Sequence, residues 1–228
     1  MLLLISAVAP SLALLYYVYL RDKYEKEPRK LLFKAFALGS LAVVPIVIVE
    51  LRLDLFDMAT DSLVAAGYTA FVVAGLVEES FKYFIFWFFV WRNKNFNERY
   101  DGIVYSVFIS LGFATTENIG YVMLSGFHTA FIRSLTAVPA HALFGIIMGY
   151  YFGKARFSEG RIRKKSLFFA LIIPIALHGV YDFILFSKST ALLIIFIPYM
   201  LYLWKRGLNH VDELSEHPHF LLKNKKNK

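Results

Sequence analysis

The sequence contains no cysteine, so neither disulfide bonds nor thiolate metal sites exist in this chain. It has no internal repeat, no low-complexity linker and no stretch typical of a separate soluble domain. Charged residues make up only 18% of the chain, whereas 58% of its residues are hydrophobic. A soluble domain of 228 residues could not bury so much apolar surface, and a water-soluble globular fold is therefore excluded.

The hydrophobic residues form continuous runs, several of them about 18 residues or longer, which is the length that a helix needs to cross a bilayer. Because the runs do not alternate with polar residues, they predict helices and not barrel strands. We predict an all-α polytopic membrane protein with one transmembrane domain over residues 1–204 and a basic cytoplasmic tail over 205–228. About seven spans are expected, at residues 2–20, 31–51, 63–91, 102–125, 134–152, 167–186 and 190–204.

The net charge of +8 is distributed unevenly between the two sides of the predicted bundle. Of the 25 lysines and arginines, Lys82 lies within a span, and only Arg52, Arg133 and Lys188 lie on one of the two sides. The side rich in lysine and arginine is expected to face the cytoplasm, which places the N-terminus outside and the C-terminus inside. The lipid bilayer explains this basic charge, so no nucleic-acid partner is predicted.

Ionisable residues within the spans are the informative ones, because each costs about 2.5–3.5 kcal/mol to insert at a helix centre. Counted at about 1.5 Å per residue, the carboxylates and imidazoles of four spans lie between the midplane and the outer leaflet. A single polar cavity that opens outward is the simplest explanation. The ionisable residues are Glu78, Glu79, Lys82, Glu117, His141, His178 and Asp182.

Spacing within the spans predicts two local pairs. Glu78 and Lys82 are four residues apart and share a helix face, which favours Lys82 as a neutralising partner. Asp182 lies on the same face as His178 and can hold one ring nitrogen, leaving the other nitrogen for chemistry. Asn118 is interpreted either as an interhelical hydrogen-bond donor or as a substrate contact.

Four motifs in chain order, each on its own predicted span, resemble the PrsW family of bacterial membrane proteases, which is similar in turn to the type II CAAX prenyl proteases. These motifs are Glu78-Glu79-x-x-Lys82, Phe113-x-x-x-Glu117-Asn118, His141-x-x-x-Gly145 and His178-x-x-x-Asp182. A fifth matching stretch is Arg21-Asp22-Lys23-Tyr24-Glu25-Lys26-Glu27-Pro28.

The resemblance implies a multi-pass intramembrane endopeptidase of the bacterial cell membrane. Its expected substrate is a single-span membrane protein, an anti-sigma factor, which receives its first cut on the extracytoplasmic side. That cut starts the release of a sigma factor under envelope stress. The family has been described both as metallopeptidase-like and as glutamate-dependent without a metal.

Water activation by a glutamate is the mechanism that we expect, with Glu78 or Glu79 as general base and His141 and His178 as supporting catalytic residues. Glu78 is favoured by analogy with the first glutamate of the CAAX-type pair. No cofactor is favoured, since the sequence lacks an H-E-x-x-H motif. In the alternative mechanism Glu79, His141 and His178 hold zinc. Supporting roles are assigned to Lys82, Phe113, Glu117, Asn118 and Asp182.

Two other functions remain open from the sequence alone. A proton-coupled transporter also places acidic and basic side chains at this depth, although such proteins often contain inverted repeats. A non-catalytic scaffold is the second, since the same superfamily resembles the scaffold subunit of γ-secretase. A scaffold would require a constitutive partner and would tolerate substitution of Glu78.

Overall fold

The computed structural model describes residues 1–54 and 62–216, and within them every regular element is a helix. A π-helical stretch, Thr69–Leu76, joins the third and fourth helices without a break. The all-α prediction is thereby confirmed. The helices are α1 (Leu2–Arg21), α2 (Arg29–Leu53), α3 (Leu63–Tyr68), α4 (Val77–Phe89), α5 (Arg99–Leu135), α6 (Ala137–Arg156), α7 (Gly160–Phe186) and α8 (Thr190–Glu216).

Six helical segments among the described residues are long and apolar enough to cross a membrane. One of these segments, Arg99–Arg156, contains both α5 and α6, so the expected number of about seven spans stays a prediction. Helix α8 continues to Glu216, well beyond residue 204 where we expected the last span to end. The tail from residue 217 onward lies outside the described residues, and the predicted domain division is not tested.

Residues 99–156 form an antiparallel hairpin that reverses at Gly126, inside the range of α5. One arm is the part of α5 before this glycine, and the returning arm is the rest of α5 together with α6. This glycine has φ +79° and ψ −164°, a conformation that residues with a Cβ rarely adopt. The two arms pair on either side of it, and the Ser110 hydroxyl donates to the His141 carbonyl oxygen at 2.7 Å. We predicted a connecting loop between residues 125 and 134. That prediction is wrong, because after Gly126 the returning arm is helical at once.

Glycines let the backbones around α5 approach closely. A Cβ at Gly149 would overlap the Gly102 carbonyl oxygen of the opposite arm, and a Cβ at Gly39 of α2 would overlap the Ile109 carbonyl oxygen. Small residues allow such contact between transmembrane helices, where packing replaces the hydrophobic effect as the driving force. The close contacts hold α5 between α2 and α6 and fix the depth of its polar residues.

Buried carboxylates lie at the start of α5, at the end of that helix remote from Glu117. They belong to Asp22, Glu27, Glu98 and Asp101. The Tyr105 hydroxyl donates to Glu27 Oε2. Burial raises the pKa of Glu27 from 4.5 to about 7 and that of Asp22 from 3.8 to about 6. The acidic stretch that follows α1 is therefore folded against the first turns of α5.

The raised pKa of Glu27 predicts a stability that depends on pH. The folded state binds the proton of the Glu27 carboxyl group more tightly than the unfolded state does. The stability that this proton contributes is complete below about pH 4.5 and is lost as the pH rises through about 7. We expect the thermal midpoint in detergent to fall between pH 5 and pH 8, and Glu27→Gln to reduce that fall. The exposed Glu25→Gln variant is the control. An unchanged pH profile for Glu27→Gln would contradict this interpretation.

The sidedness of the bundle is predicted from charge and is open to a direct test. Reporter fusions at Arg163 and after residue 216 are expected to give a cytoplasmic signal, because their surroundings are rich in lysine and arginine. Fusions at Ser62 and His128 are expected to report the outside. A cytoplasmic signal at Ser62 would reverse the assignment, and the cavity described below would then open inward.

Candidate active site

Helix α4 supplies three of the predicted site residues, immediately after the π-helical stretch. Glu78, Glu79 and Lys82 are all buried, with Glu79 fully inaccessible. The Lys82 ammonium donates to Glu78 Oε2 at 3.0 Å and to Glu79 Oε1 at 2.8 Å. One buried cation thus pairs with two buried carboxylates, where the sequence predicted only the Glu78 pair.

Helix α7 adds His178, which lies between two carboxylates. Its Nδ1 is 3.0 Å from Glu79 Oε1, and its Nε2 is 3.2 Å from Asp182 Oδ2. The imidazole also stacks on Phe144, with ring centroids 4.9 Å apart. These contacts fix the orientation of the ring. Asp182 lies against Nε2 as the spacing predicted, but the prediction that the other nitrogen is left for chemistry is wrong, because Nδ1 contacts Glu79.

Helix α6 adds His141, whose two nitrogens have different partners. Nδ1 is 3.3 Å from the Lys82 ammonium, and Nε2 is 3.2 Å from Glu117 Oε2. Because an ammonium group can only donate, Nδ1 accepts from Lys82 and Nε2 carries the proton shared with Glu117. The ring centroids of His141 and His178 are 5.2 Å apart, so both histidines belong to one site.

The remaining two predicted residues lie at the edge of this cluster. The Phe113 ring is 4.3 Å from the Lys82 ammonium, which is within the range of a cation–π contact. Asn118 points away, and its Nδ2 donates to the Ala7 carbonyl oxygen at 2.8 Å. Asn118 therefore connects α5 to α1, and the structure does not bring it to the carboxylates of α4.

Arg133 is a site residue that our sequence analysis missed. Its Nη2 is 2.6 Å from Glu117 Oε2, and its Nε donates to Asn118 Oδ1 at 2.8 Å. We had assigned Arg133 to an outer connection, which is wrong because the chain there is the helical returning arm of the hairpin. The signal that could have found it is Gly126, since a reversal at this glycine brings Arg133 opposite Glu117.

A cavity of about 540 Å³ connects these side chains to the ends of α2 and α7. Glu78 lines this cavity, whereas Glu79 and Lys82 lie behind its wall. Glu50, which the sequence placed at the edge of a span, also faces it. The other polar residues of the wall are Asp54, Thr69, Glu117, Tyr121, Arg133, Thr136, His141, His178, Tyr181 and Asp182.

The described residues include one group that could hold a metal ion. Glu78, Glu79, His141 and His178 each offer a ligand atom, and these atoms lie within 4.8 Å of one another. Glu79 Oε2 is buried without a hydrogen-bond partner among the described residues, so an acceptor remains free. Imidazole and carboxylate are ligands that zinc takes, and the group contains the three residues predicted for zinc. The residues present therefore fit a zinc ion.

Carboxylates and imidazoles around a membrane-embedded cavity form an arrangement suited to activating water, and they define the class of intramembrane hydrolases. Residues 27–204 match the family model described as PrsW family intramembrane metalloprotease, and the chain belongs to this family. It is accordingly a peptidase and a multi-pass membrane protein.

Curated relatives cover most of the chain. A protein named Protease PrsW from Bacillus subtilis is 44% identical over 91% of this chain and 94% of its own length. Proteins of the same name from Geobacillus kaustophilus and Oceanobacillus iheyensis are 46% and 43% identical, over 82% and 95% of this chain and 81% and 98% of their own lengths. No solved structure matches the chain. These relatives lend no support to the transporter or the scaffold alternative.

Proposed function

We propose that this protease makes the first, extracytoplasmic-side cut in a single-span anti-sigma factor, and that Glu78 activates the attacking water. The choice of substrate rests on the family resemblance of the sequence motifs. The cavity supports it, since the cavity leads from the buried carboxylates to the ends of α2 and α7. With the predicted topology, these ends reach the outer leaflet, where the juxtamembrane segment of a single-span protein lies.

The observation that carries the mechanism is the different exposure of the two glutamates. Glu78 lines the cavity, whereas Glu79 is completely buried between the Lys82 ammonium and His178. A general base must reach the water whose proton it takes, so Glu78 is the base and Glu79 is a structural anion. The contacts of Glu79 with Lys82 and His178 leave it no path to a substrate.

The other side chains position the reacting groups. Asp182 holds Nε2 of His178, and Glu117 holds Nε2 of His141. These contacts keep both imidazoles at the cavity wall. A substrate carbonyl oxygen that becomes negatively charged in this cavity would compete with Glu117 or Asp182 for an imidazole N–H, and the N–H would stabilise the oxygen by sharing its hydrogen bond with it. The proton taken by Glu78 is then delivered to the leaving amine.

Zinc is the cofactor for which the site has a fitting donor set. Its ligands would be the three residues of the alternative mechanism predicted from the sequence, Glu79, His141 and His178. Glu78 would remain the base. When bound, zinc supplies Lewis-acid polarisation of the substrate carbonyl and a more acidic water.

Reconstitution of the purified protein in liposomes with a candidate anti-sigma factor tests the proposal. We expect one cut near the outer end of the substrate span, and no cut in a substrate whose extracytoplasmic juxtamembrane segment is replaced by a Gly/Ser sequence. The assay is repeated after verified removal of metal with a chelator. Proton flux without cleavage would favour a transporter, and the absence of cleavage from every candidate would leave the anti-sigma assignment without support.

A further inference from the structure

The Lys82 ammonium contacts most of the residues in the group that could hold a metal. Its Nζ is 2.8 Å from Glu79 Oε1, 3.0 Å from Glu78 Oε2 and 3.3 Å from His141 Nδ1. The fourth member, His178, is in turn 3.0 Å from the same Glu79 oxygen. Lys82 therefore contacts three of the four residues whose ligand atoms converge, and its side chain is only 1% exposed.

We infer that the Lys82 ammonium occupies the cation position of this site, so that a divalent metal binds there only by displacing it. Two buried carboxylates require a compensating positive charge, and either the ammonium or a metal can supply it. Both together would bring like charges within a few ångströms of each other in a surrounding of low dielectric constant. The two cations are therefore competitors for one position.

The distances favour displacement over coexistence. Zinc binds imidazole nitrogen and carboxylate oxygen at about 2.0–2.2 Å, which is shorter than the contacts that these atoms make with Lys82. To hold zinc, the ligand atoms must close around the position where Nζ now lies. The four-carbon stem of lysine is flexible enough to withdraw, and the adjacent Phe113 ring offers the ammonium a second contact.

Through this competition the Lys82 side chain inhibits metal binding. The apparent metal affinity equals the intrinsic affinity multiplied by the fraction of molecules in which Lys82 has left the position. The inference deepens the proposed function, since it concerns the same four residues. Metal binding is nevertheless measurable without substrate, so a failure of this inference is distinguishable from a failure of the protease mechanism.

Zinc titration of the full-length protein in detergent tests the inference, with cobalt as a spectroscopic probe. We expect the wild type to bind weakly and Lys82→Met to bind one equivalent about 100-fold more tightly, within the usual range for coupled sites. Cobalt in Lys82→Met should give the intense visible absorption of a four-coordinate site. A wild-type Kd below micromolar would overturn the inference, as would a Lys82→Met affinity within about threefold of wild type.

Matched variants distinguish the effect of the Lys82 side chain filling the metal position from the effect of its positive charge. Arg133→Gln removes one positive charge from the cavity wall but leaves Lys82 in place, so it measures the effect of charge alone, and any gain in zinc affinity should stay well below that of Lys82→Met. An equal gain in Arg133→Gln would mean that only electrostatics is at work and would overturn the inference. Lys82→Arg keeps the charge and should stay weak. His178→Ala added to Lys82→Met should abolish the tight binding, which excludes histidines of the tail as its source.

Loss of Lys82 leaves two carboxylates without their cation, and Lys82→Met protein would therefore fold poorly in the absence of metal. Lys82→Gln retains a hydrogen-bond donor and serves as the second neutral variant. In either one, zinc should raise the thermal midpoint more than in the wild type, because it binds the folded state only. Equal zinc-induced shifts in the wild type and the neutral variants would contradict the competition.

Discussion

Glu78→Gln is expected to lower substrate cleavage by at least about 10²-fold while the protein accumulates normally, since a positioned general base contributes at least that much. Glutamine keeps the shape and hydrogen-bonding capacity of the side chain but cannot take a proton. Lys82 would still be paired one-to-one with Glu79, so the buried charges stay compensated. Single-turnover cleavage rates in liposomes, normalised to folded protein, provide the measurement.

Glu79→Gln is the matched control, because it removes the same charge from the neighbouring position. Glu79 contacts both Lys82 and His178 and does not line the cavity. Lys82 keeps its pair with Glu78 in this variant, but the acceptor that Lys82 and His178 share is lost, so we expect lower stability and accumulation than in Glu78→Gln. If both purified variants cleave at the wild-type rate, the carboxylate mechanism is wrong and a scaffold becomes the better interpretation.

His178→Ala is the second variant with a large expected effect, again about 10²-fold or more in the cleavage rate, as for removal of an oxyanion donor. The ring is held by Glu79, Asp182 and the stacked Phe144, so its position is fixed before substrate binds. Asp182→Asn leaves the ring in place but changes its partner. We expect this variant to lose about tenfold, as is usual for a group that orients another.

The ratio of the rate losses in His178→Ala and Asp182→Asn distinguishes a reacting role of His178 from a positioning role of Asp182. The rate constant should fall in both variants while KM changes little, because neither side chain is needed to hold the substrate span. His178→Gln serves as a check that packing against Phe144 is not the cause of the loss. Wild-type activity in His178→Gln would remove this histidine from the mechanism.

The pattern of the sequence predicted the helical class and the converging polar residues because both follow from local rules. Runs of hydrophobic residues predict helices in a bilayer, and the i, i+4 spacing placed Asp182 beside His178. The contact between Lys82 and His141 could not be predicted in this way, since it joins α4 to α6, which are distant in the sequence, and depends on how these helices pack.

Other features lacked a local signal. Nothing in the apolar residues of Thr69–Leu76 distinguishes a π-helical stretch from an α-helix, yet this stretch immediately precedes Glu78 and Glu79. Spacing alone left the roles of the two glutamates open, because both could border a cavity. For Arg133 the signal was incomplete, because Gly126 indicates a turn but does not show that a helix resumes directly after it.

The hairpin around Gly126 has a consequence for the order in which the protein assembles during synthesis. Glu117 and Arg133 lie only 16 residues apart on its two arms, so each neutralises the other as soon as the hairpin enters the membrane. The α4 segment, by contrast, carries two carboxylates and one ammonium, and His178 follows Glu79 by 99 residues. The hairpin can therefore form its polar pair early, whereas Glu79 acquires its His178 partner only when α7 packs against α4.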